Sequence, residues 1–182
     1  QAEGILSNIT RSRAYEVQND DVEVPKNIGT PEAREKLRYR LSEQTHILVP
    51  GGRTLYIGTP HTHDSLYDEV ELMGADCLTI KMFEHEFRIE PGDVSEFVIP
   101  FSPEIVFAGI GEFTRVLEHG KDYRYQNGTI QFAEAPSTII DCYAGCAWPE
   151  RFTIDELCKR RKKCRTVNEW DSQYQLHSKP IG

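Results

Sequence analysis

Three acidic residues near the start of the chain form the first group that could do chemistry. Asp20, Asp21 and Glu23 directly follow a short stretch with weak strand character. Clustered carboxylates at the end of a strand suit Mg²⁺, a hard cation that takes oxygen ligands and keeps several waters. In sheets that hydrolyse nucleotides, one such carboxylate holds the metal while a neighbour orients or deprotonates the attacking water. A solvated acidic loop is the alternative interpretation.

A second group lies where a strand predicted over residues 53–58 ends. Gly58, Thr59 and Pro60 put a small hydroxyl group at the carboxyl end of that strand. In open α/β sheets, ligands bind at this edge. The motif therefore indicates a ligand-binding loop, and an ordinary turn is the alternative.

The histidines that follow suggest a different chemistry. His61, His63 and Asp64 resemble the ligand pattern of a metal-dependent hydrolase, but Ser65 stands where that pattern needs a further aspartate. No second set of ligands is evident. A metal-dependent hydrolase using these three residues is thus the third-ranked hypothesis.

Composition and cysteine usage narrow the class of protein. Apolar residues make up 38% of the chain, the net charge is −8, and five cysteines occur at irregular spacing. An odd, irregular set favours free thiols in a reducing compartment over a disulfide framework. Cys142 and Cys146 lack the two-residue spacing of a zinc knuckle. No apolar run is long enough to cross a bilayer, so we expect no membrane association.

One stretch departs from the acidic balance. Residues 159–163 are all lysine or arginine, and Arg165 follows. An acidic chain should have little non-specific affinity for nucleic acid, which depends on cations neutralising phosphates. The basic run has two open interpretations: a solvated helix face, or a contact with a phosphate backbone.

The elements that must position the acidic and Gly-Thr-Pro groups alternate between strand and helix. A polar strand is predicted over residues 15–19, and a helix begins at the N-cap Thr30, with Pro31 in its first turn, and runs to about Gln44. A turn at residues 50–52 separates this helix from the strand at 53–58, and a short helix covers 65–72. This order predicts an α/β sheet.

The later part of the chain reads differently. Residues 75–90 alternate as strands do, and repeated short strands follow up to about residue 147. Asn127-Gly128 between alternating segments predicts a hairpin with a type I′ turn. A capping box of Thr153 and Glu156 begins a helix that carries the basic run, and another helix covers 167–176. Residues 86–146 therefore look like an all-β insertion.

Taken in order, these pieces resemble the terminase large subunits of phages, closest to those called DNA maturase B. The likeness lies in Gly4-Ile5, Ile9–Ala14, Asp20–Asn27, Thr30, Ala33–Leu37, Arg53–Pro60, Ser65–Tyr67, Trp148–Phe152, Glu156-Leu157 and Ser172–Leu176. It covers about residues 1–84 and 147–182. It implies an ATPase-domain fragment at 1–85, a β-rich insertion at 86–146, and the helical end of the ATPase domain at 147–182.

The resemblance also implies a fold and a function. The fold would be a partial P-loop NTPase-type parallel sheet with flanking helices, carrying an inserted antiparallel β module. The parent protein would hydrolyse ATP to drive double-stranded DNA into a capsid, and would carry an endonuclease. Its partners would be the portal protein, the small terminase subunit and the capsid, in a homo-oligomeric ring in the host cytoplasm.

Roles for single residues follow from the same resemblance. Asp20 would hold Mg²⁺ at the end of the Walker B strand, and Asp21 or Glu23 would prepare the water, with Asp21 favoured because it directly follows the metal ligand. Gly58 and Thr59 would contact ATP, Thr59 sensing the γ-phosphate. Arg13 would reach phosphates, or would be a structural arginine.

Three features depart from the family pattern. One is the absence of a nuclease domain, and together they lead us to expect that this chain alone does not turn over ATP. The sequence contains no Gly-x-x-x-x-Gly-Lys-[Ser/Thr] loop, so it lacks the phosphate cradle. The strand before Asp20 is polar, whereas a central parallel strand should be a nearly continuous apolar run. These departures support an alternative: a non-catalytic prophage remnant that acts as a protein-binding module through its β insertion, docking on the portal or a neighbouring motor subunit.

Overall fold

The computed structural model describes residues 13–61 and 65–177, which form two compact units. One unit comprises the described residues up to Leu78, together with 176 and 177, and the other runs from Thr79 to Gln175. The first carries a parallel pair of strands and the second carries antiparallel sheets with helices. The chain is therefore of mixed α/β type, as predicted.

The first unit is built around a strand–helix–strand crossover. Strands β1 (Ala14–Asp20) and β2 (Leu48–Ile57) pair in parallel, with helix α1 (Pro31–Ser42) between them in the chain. Helix α2 (Leu66–Leu72) follows β2, and short 3-10 turns cover Pro25–Asn27 and Glu43–His46. The prediction of strand, helix, strand and short helix is confirmed.

Helix α1 begins where its capping residues predict. The Thr30 hydroxyl accepts a hydrogen bond from the Ala33 amide at 3.1 Å, and Pro31 occupies the first turn. Leu37 and Leu41 are the helix's buried residues, and they pack with Ile28 and with the start of α2. The apolar face is narrow, so α1 depends on these few contacts for its place in the unit.

The predicted turn at residues 50–52 is wrong, because β2 runs through it as one strand. Ala14 lies opposite Leu48, whereas Glu16 lies opposite Arg53, so the extra residues of β2 bulge out of the ladder. Gly51 supplies the left-handed backbone (φ 80°) that this irregularity requires.

A buried amide pair explains why β1 is polar. The side chains of Asn19 and Gln44 are almost fully buried and exchange two hydrogen bonds, at 2.8 and 2.6 Å. Since both amides are satisfied, the polar pair can replace an apolar contact at little cost. The other residues of β1 are half-buried or exposed in this two-stranded sheet, and Tyr15 is 82% exposed.

We expect Asn19→Ala to lower the free energy of unfolding of this unit by about 1–2 kcal/mol, because the Gln44 amide would stay buried without partners. The measurement is urea denaturation followed through the amide NMR signals of β1 and β2. Gln18→Ala, at an exposed position of the same strand, is the control and should change stability by less than about 0.5 kcal/mol. Equal losses in both variants would show that the pair adds nothing.

The second unit has three layers. Strands β3 (Phe83–Ile89), β5 (Ile105–Ala108), β6 (Arg115–Val116) and β9 (Ile140–Cys146) form one antiparallel sheet, in the order β3-β9-β5-β6. Strands β4 (Glu96–Val98), β7 (Tyr123–Gln126) and β8 (Thr129–Phe132) form the other. Helices α3 (Ile154–Lys163) and α4 (Val167–Gln175) supply the remaining layer.

The four-stranded sheet is buried on both faces. Val106 and Cys142 pack with Ile130 of the other sheet, whereas the alternate residues Phe107 and Tyr143 pack in the cluster that contains residues of both helices. This alternation follows from the two-residue period of a strand. The helices thus share a core with the strands. The domain boundaries predicted at 85/86 and 146/147 stay predictions.

The hairpin prediction is confirmed, and part of the strand prediction before it is wrong. Asn127 and Gly128 both have positive φ, at 52° and 77°, as a type I′ turn requires. Residues 75–82, which alternate in sequence, carry no strand in the described structure, and β3 begins only at Phe83. Leu78 and Ile80 are 85% and 66% exposed. Alternation alone does not make a strand where no neighbour pairs with it.

The first strand and the last helix of this unit are joined. The Phe83 amide donates to the Gln175 side-chain oxygen at 2.9 Å, and the Gln175 side-chain amide donates to the Phe83 carbonyl at 3.1 Å. The Met82 amide also donates to the Tyr174 carbonyl at 2.7 Å. The chain therefore enters and leaves the unit at neighbouring points.

One residue of the basic run is buried in an ionic cluster. Arg161 is fully buried and donates to an Asp141 carboxylate oxygen at 2.7 Å and to the Gly109 carbonyl at 3.0 Å. Its guanidinium lies 5.1 Å from the ring centres of Phe107 and Trp170. Neither interpretation of the basic run holds for this residue, although Lys159, Lys162 and Lys163 are exposed.

Arg88 completes the cluster. Its guanidinium donates in bidentate fashion to Asp141, at 2.7 and 3.0 Å, and to Asp171, at 2.7 and 2.6 Å. Burial acts to lower the pKa of Arg88, but the hydrogen bonds and charges of the two aspartates outweigh it and raise the pKa above its ordinary value. Two cations and two carboxylates therefore balance inside the unit.

Candidate functional site

The carboxyl ends of β1 and β2 lie side by side and bring the two predicted motifs together. Asp20 lies opposite Ile57 in the parallel ladder, and the Asp21 amide donates to the Ile57 carbonyl at 2.9 Å. The residues that follow, Gly58 and Thr59, leave the same edge of the sheet. Four of the predicted site residues therefore meet, as expected for parallel strands.

The two aspartates are free to take ligands. Both are exposed, and neither side chain forms a hydrogen bond or ion pair with another residue in the described part of the chain. Asp21 has a left-handed backbone (φ 47°), which is uncommon outside glycine and turns the chain away from the sheet. Two exposed carboxylates fit Mg²⁺, which is bound through one or two such groups together with substrate phosphates.

Glu23 has a different environment from the two aspartates. It is 1% exposed, and one of its carboxylate oxygens accepts a hydrogen bond from the His61 amide at 3.0 Å. The other accepts from the Leu66 amide at 2.8 Å and from the Ser65 hydroxyl at 3.3 Å. Glu23 is therefore less accessible to a ligand or a water molecule than the exposed Asp21.

Tyr67 belongs to the stretch that carries the family resemblance, but it was not predicted as a site residue, and it covers Gly58. A Cβ atom built on Gly58 would lie 1.9 Å from the Tyr67 hydroxyl oxygen and 2.5 Å from Cζ. Only glycine allows this approach. The sequence feature that could have pointed to this contact is an aromatic residue in the first turn of α2, the helix that follows the Gly-Thr-Pro motif.

The Tyr67 hydroxyl is buried beside the carboxylates. It makes no hydrogen bond of acceptable geometry within the described residues, although a backbone group of Glu23 lies near it. Burial raises the pKa of Tyr67 to about 12, and the charges of Glu23, Asp21 and Asp20 act in the same direction. Tyr67 is therefore a neutral phenol at physiological pH.

Arg13 does not join this site. It lies just before β1, at the opposite end of the strand from Asp20. Seven residues of extended chain separate the two by roughly 20 Å. A phosphate bound at Asp20 would be out of reach of Arg13 in the same unit.

The metal-dependent hydrolase hypothesis gains no support from the structure. Of its three residues, only His61 is among the described ones, while His63 and Asp64 lie outside them. Within the described ranges, no group of three His, Cys, Asp or Glu residues is arranged to hold a metal ion. No helix in those ranges is long and apolar enough to cross a membrane.

Part of the chain matches a known protein. Over 70 residues the chain is 44% identical to the terminase large subunit of Enterobacteria phage T3. The matched stretch is 37% of this chain and only 12% of the length of that relative. No family model matches the chain. The resemblance predicted from the motifs is thus confirmed for that part of the sequence.

Proposed function

Because a 70-residue stretch is related to a terminase large subunit, we propose that this chain is part of a phage DNA-packaging motor. In this proposal, the edge formed by Asp20, Asp21, Gly58 and Thr59 binds Mg²⁺ and ATP. The observation that carries it is the pairing of β1 with β2, which sets two exposed carboxylates beside a Gly-Thr loop. Such an edge, outside the carboxyl ends of parallel strands, is the general ligand position of open α/β sheets.

The proposed roles follow from exposure and hydrogen bonding. Asp20 ligates the metal, and Asp21 accepts a hydrogen bond from the attacking water. Thr59, on the facing loop, donates its hydroxyl toward the terminal phosphate, and Gly58 lets the loop stay close to α2. When bound, Mg²⁺ neutralises charge that develops on the phosphates.

The proposed fold is part of a P-loop NTPase. The parallel pair with its connecting helix supports this assignment. The sequence contains no Gly-x-x-x-x-Gly-Lys-[Ser/Thr] loop. We therefore propose that the chain alone binds the nucleotide weakly and that turnover needs a phosphate-binding loop from another polypeptide segment.

The partners are proposed from the same relationship. A packaging motor in the host cytoplasm would act on double-stranded DNA, dock on the portal protein of the capsid, and bind the small terminase subunit. Copies of the chain would form a homo-oligomeric ring. The exposed lysines of α3 are the positions available for a phosphate backbone in this arrangement.

A second candidate function is a non-catalytic protein-binding module of a prophage. The observation in its favour is that two large apolar side chains of the antiparallel unit, Val98 and Phe113, are 79% and 81% exposed. Exposed apolar residues mark interaction sites only when they form a contiguous patch. This candidate therefore ranks below the nucleotide-binding site.

The nucleotide-binding proposal predicts where a paramagnetic Mg²⁺ substitute will act. Adding Mn²⁺ with ATP to the full chain should broaden the amide NMR signals of Asp20 to Val22 and of Gly58 and Thr59 before others. Asp20→Asn should weaken this effect by about tenfold or more in Mn²⁺ concentration, because a ligand charge is lost. Glu35→Gln, at an exposed position of α1, is the matched control and should broaden like the parent.

Each alternative has its own outcome in this experiment. Broadening that survives Asp20→Asn unchanged would refute the proposed site. Broadening centred on His61 with Mn²⁺ alone would favour the metal-dependent hydrolase. If no amide signal of the first unit broadens selectively, the protein-binding module becomes the better explanation.

A further inference from the structure

Glu23 connects three parts of the first unit through one buried side chain. It follows the Asp20-Asp21 turn by two residues, and it accepts hydrogen bonds from the loop after Thr59 and from the start of α2. Two of its donors are backbone amides, so these hydrogen bonds hold the backbone at His61 and Leu66 in place. Hydrogen bonds to a buried carboxylate are charge-assisted and are roughly twice as strong as neutral ones.

The backbone around Glu23 is fixed on both sides. The Asn27 side-chain amide donates to the Val22 carbonyl at 2.7 Å, and the Asn27 side-chain oxygen accepts from the Val24 amide at 2.9 Å. The carboxylate is thus carried on a short braced segment. A displacement of the Asp21 turn should therefore move the carboxylate, rather than being absorbed between them.

We infer that Glu23 is a positioning residue that ties the Asp20-Asp21 turn to the Gly58-Thr59 loop and to α2. When a ligand binds at the two aspartates, the Glu23 carboxylate transmits the resulting displacement to the His61 and Leu66 amides. Glu23 does not act as a base on water, because its oxygens are already engaged. The nucleotide-dependent half of this inference rests on the proposed function, whereas the link between the loops does not.

The link is tested first without any ligand, by amide hydrogen exchange in the full chain. In Glu23→Gln, only one of the two side-chain oxygens remains as an acceptor. The amide of His61 or Leu66 that faces the new side-chain NH2 group loses its acceptor, so exchange at that amide should accelerate by about tenfold or more. The Leu55 amide in β2 reports on global opening and should keep its rate. Ser65→Ala removes the hydroxyl donor to Glu23 and the N-cap acceptor of the Tyr67 amide. It should leave the His61 rate nearly unchanged, because the His61 amide donates to the other carboxylate oxygen.

The second arm repeats the Mn²⁺ titration with ATP and compares Asp21 with Thr59. In the parent chain both signals should broaden. In Glu23→Gln the Asp21 signal should broaden at the same Mn²⁺ concentration, whereas the Thr59 signal should broaden much less. A merely stabilising residue would change both signals together. Glu23→Asp keeps the charge and should recover part of the Thr59 effect.

The outcomes separate the two proposals. Unchanged exchange at His61 and Leu66 in Glu23→Gln would overturn the link, as would equal broadening of Thr59 in both proteins. If the parent shows no broadening at all while exchange accelerates as expected, the proposed function fails and the link between the loops stands. If Glu23→Gln does not fold, the same exchange comparison is made on Glu23→Asp, whose shorter side chain weakens the link only in part and should accelerate His61 exchange by a smaller factor, roughly threefold.

Discussion

Replacing Asp141 with asparagine is expected to lower the free energy of unfolding of the antiparallel unit by about 3–5 kcal/mol. Asp141 is 1% exposed and is the carboxylate that joins Arg88 to the fully buried Arg161. Asparagine has nearly the same shape, but it removes the charge and turns an amide group toward one guanidinium. Breaking a buried pair in this way leaves a cation without compensation, and this costs far more than losing an exposed ion pair.

The measurement is urea denaturation followed by tryptophan fluorescence, since Trp170 is fully buried in this unit. Asp93→Asn makes the same chemical change at an exposed position and should shift stability by less than about 0.5 kcal/mol. Asp171→Asn should be milder than Asp141→Asn, because Asp171 pairs with Arg88 alone among the arginines of this cluster. A loss of under 1 kcal/mol in Asp141→Asn would contradict the balance of charges described above.

Gly58→Ala is expected to destabilise the first unit by about 2–3 kcal/mol and to displace the loop that carries Thr59. The new methyl group would lie 1.9 Å from the Tyr67 hydroxyl oxygen, so either the ring or the loop must move. Tyr67 is half-buried and its hydroxyl is fully buried, so moving the ring disrupts this packing. The measurement is urea denaturation read from the amide signals of β1 and β2.

A double-mutant cycle identifies the cause of this loss. In a Tyr67→Ala background the ring is gone, and Gly58→Ala should then cost less than about 0.5 kcal/mol. Gly29→Ala is the control within the same unit, because nothing lies within 4 Å of the added methyl group. Equal costs of Gly58→Ala with and without Tyr67 would place the strain in the backbone instead of the ring contact.

Features with local causes could be predicted from the sequence. The start of α1 is specified by Thr30 and Pro31, and the hairpin is specified by Asn127 and Gly128, each within a few residues. The meeting of Asp20 with Gly58 followed from a general rule, since parallel strands end at the same edge. The exposed residues of the site, such as Asp20 and Gly58, could therefore be predicted once both strands had been recognised.

Features with distant partners could not be predicted in this way. Glu23 looks like its acidic neighbours, yet its donors lie 38 to 43 residues along the chain. Arg161 resembles the four cations around it, and its burial depends on partners in other elements, such as Asp141 on β9 and the Gly109 carbonyl. Residues 75–82 show the converse case, a strand-like pattern with no strand beside it. In all three, the deciding contact belongs to another element.

The meeting of the first strand and the last helix of the second unit has a consequence for how such a chain can change over time. Because Phe83 and Gln175 are hydrogen-bonded to each other, the entry and exit points are close enough to be bridged by a short connector. If the gene lost or gained the segment that encodes this unit, the two chain ends that flank the unit would lie close together and could be joined. Domains with adjacent termini tolerate insertion and circular permutation for this reason. The unit therefore has the chain-end geometry of a domain that can be inserted into, or removed from, another protein.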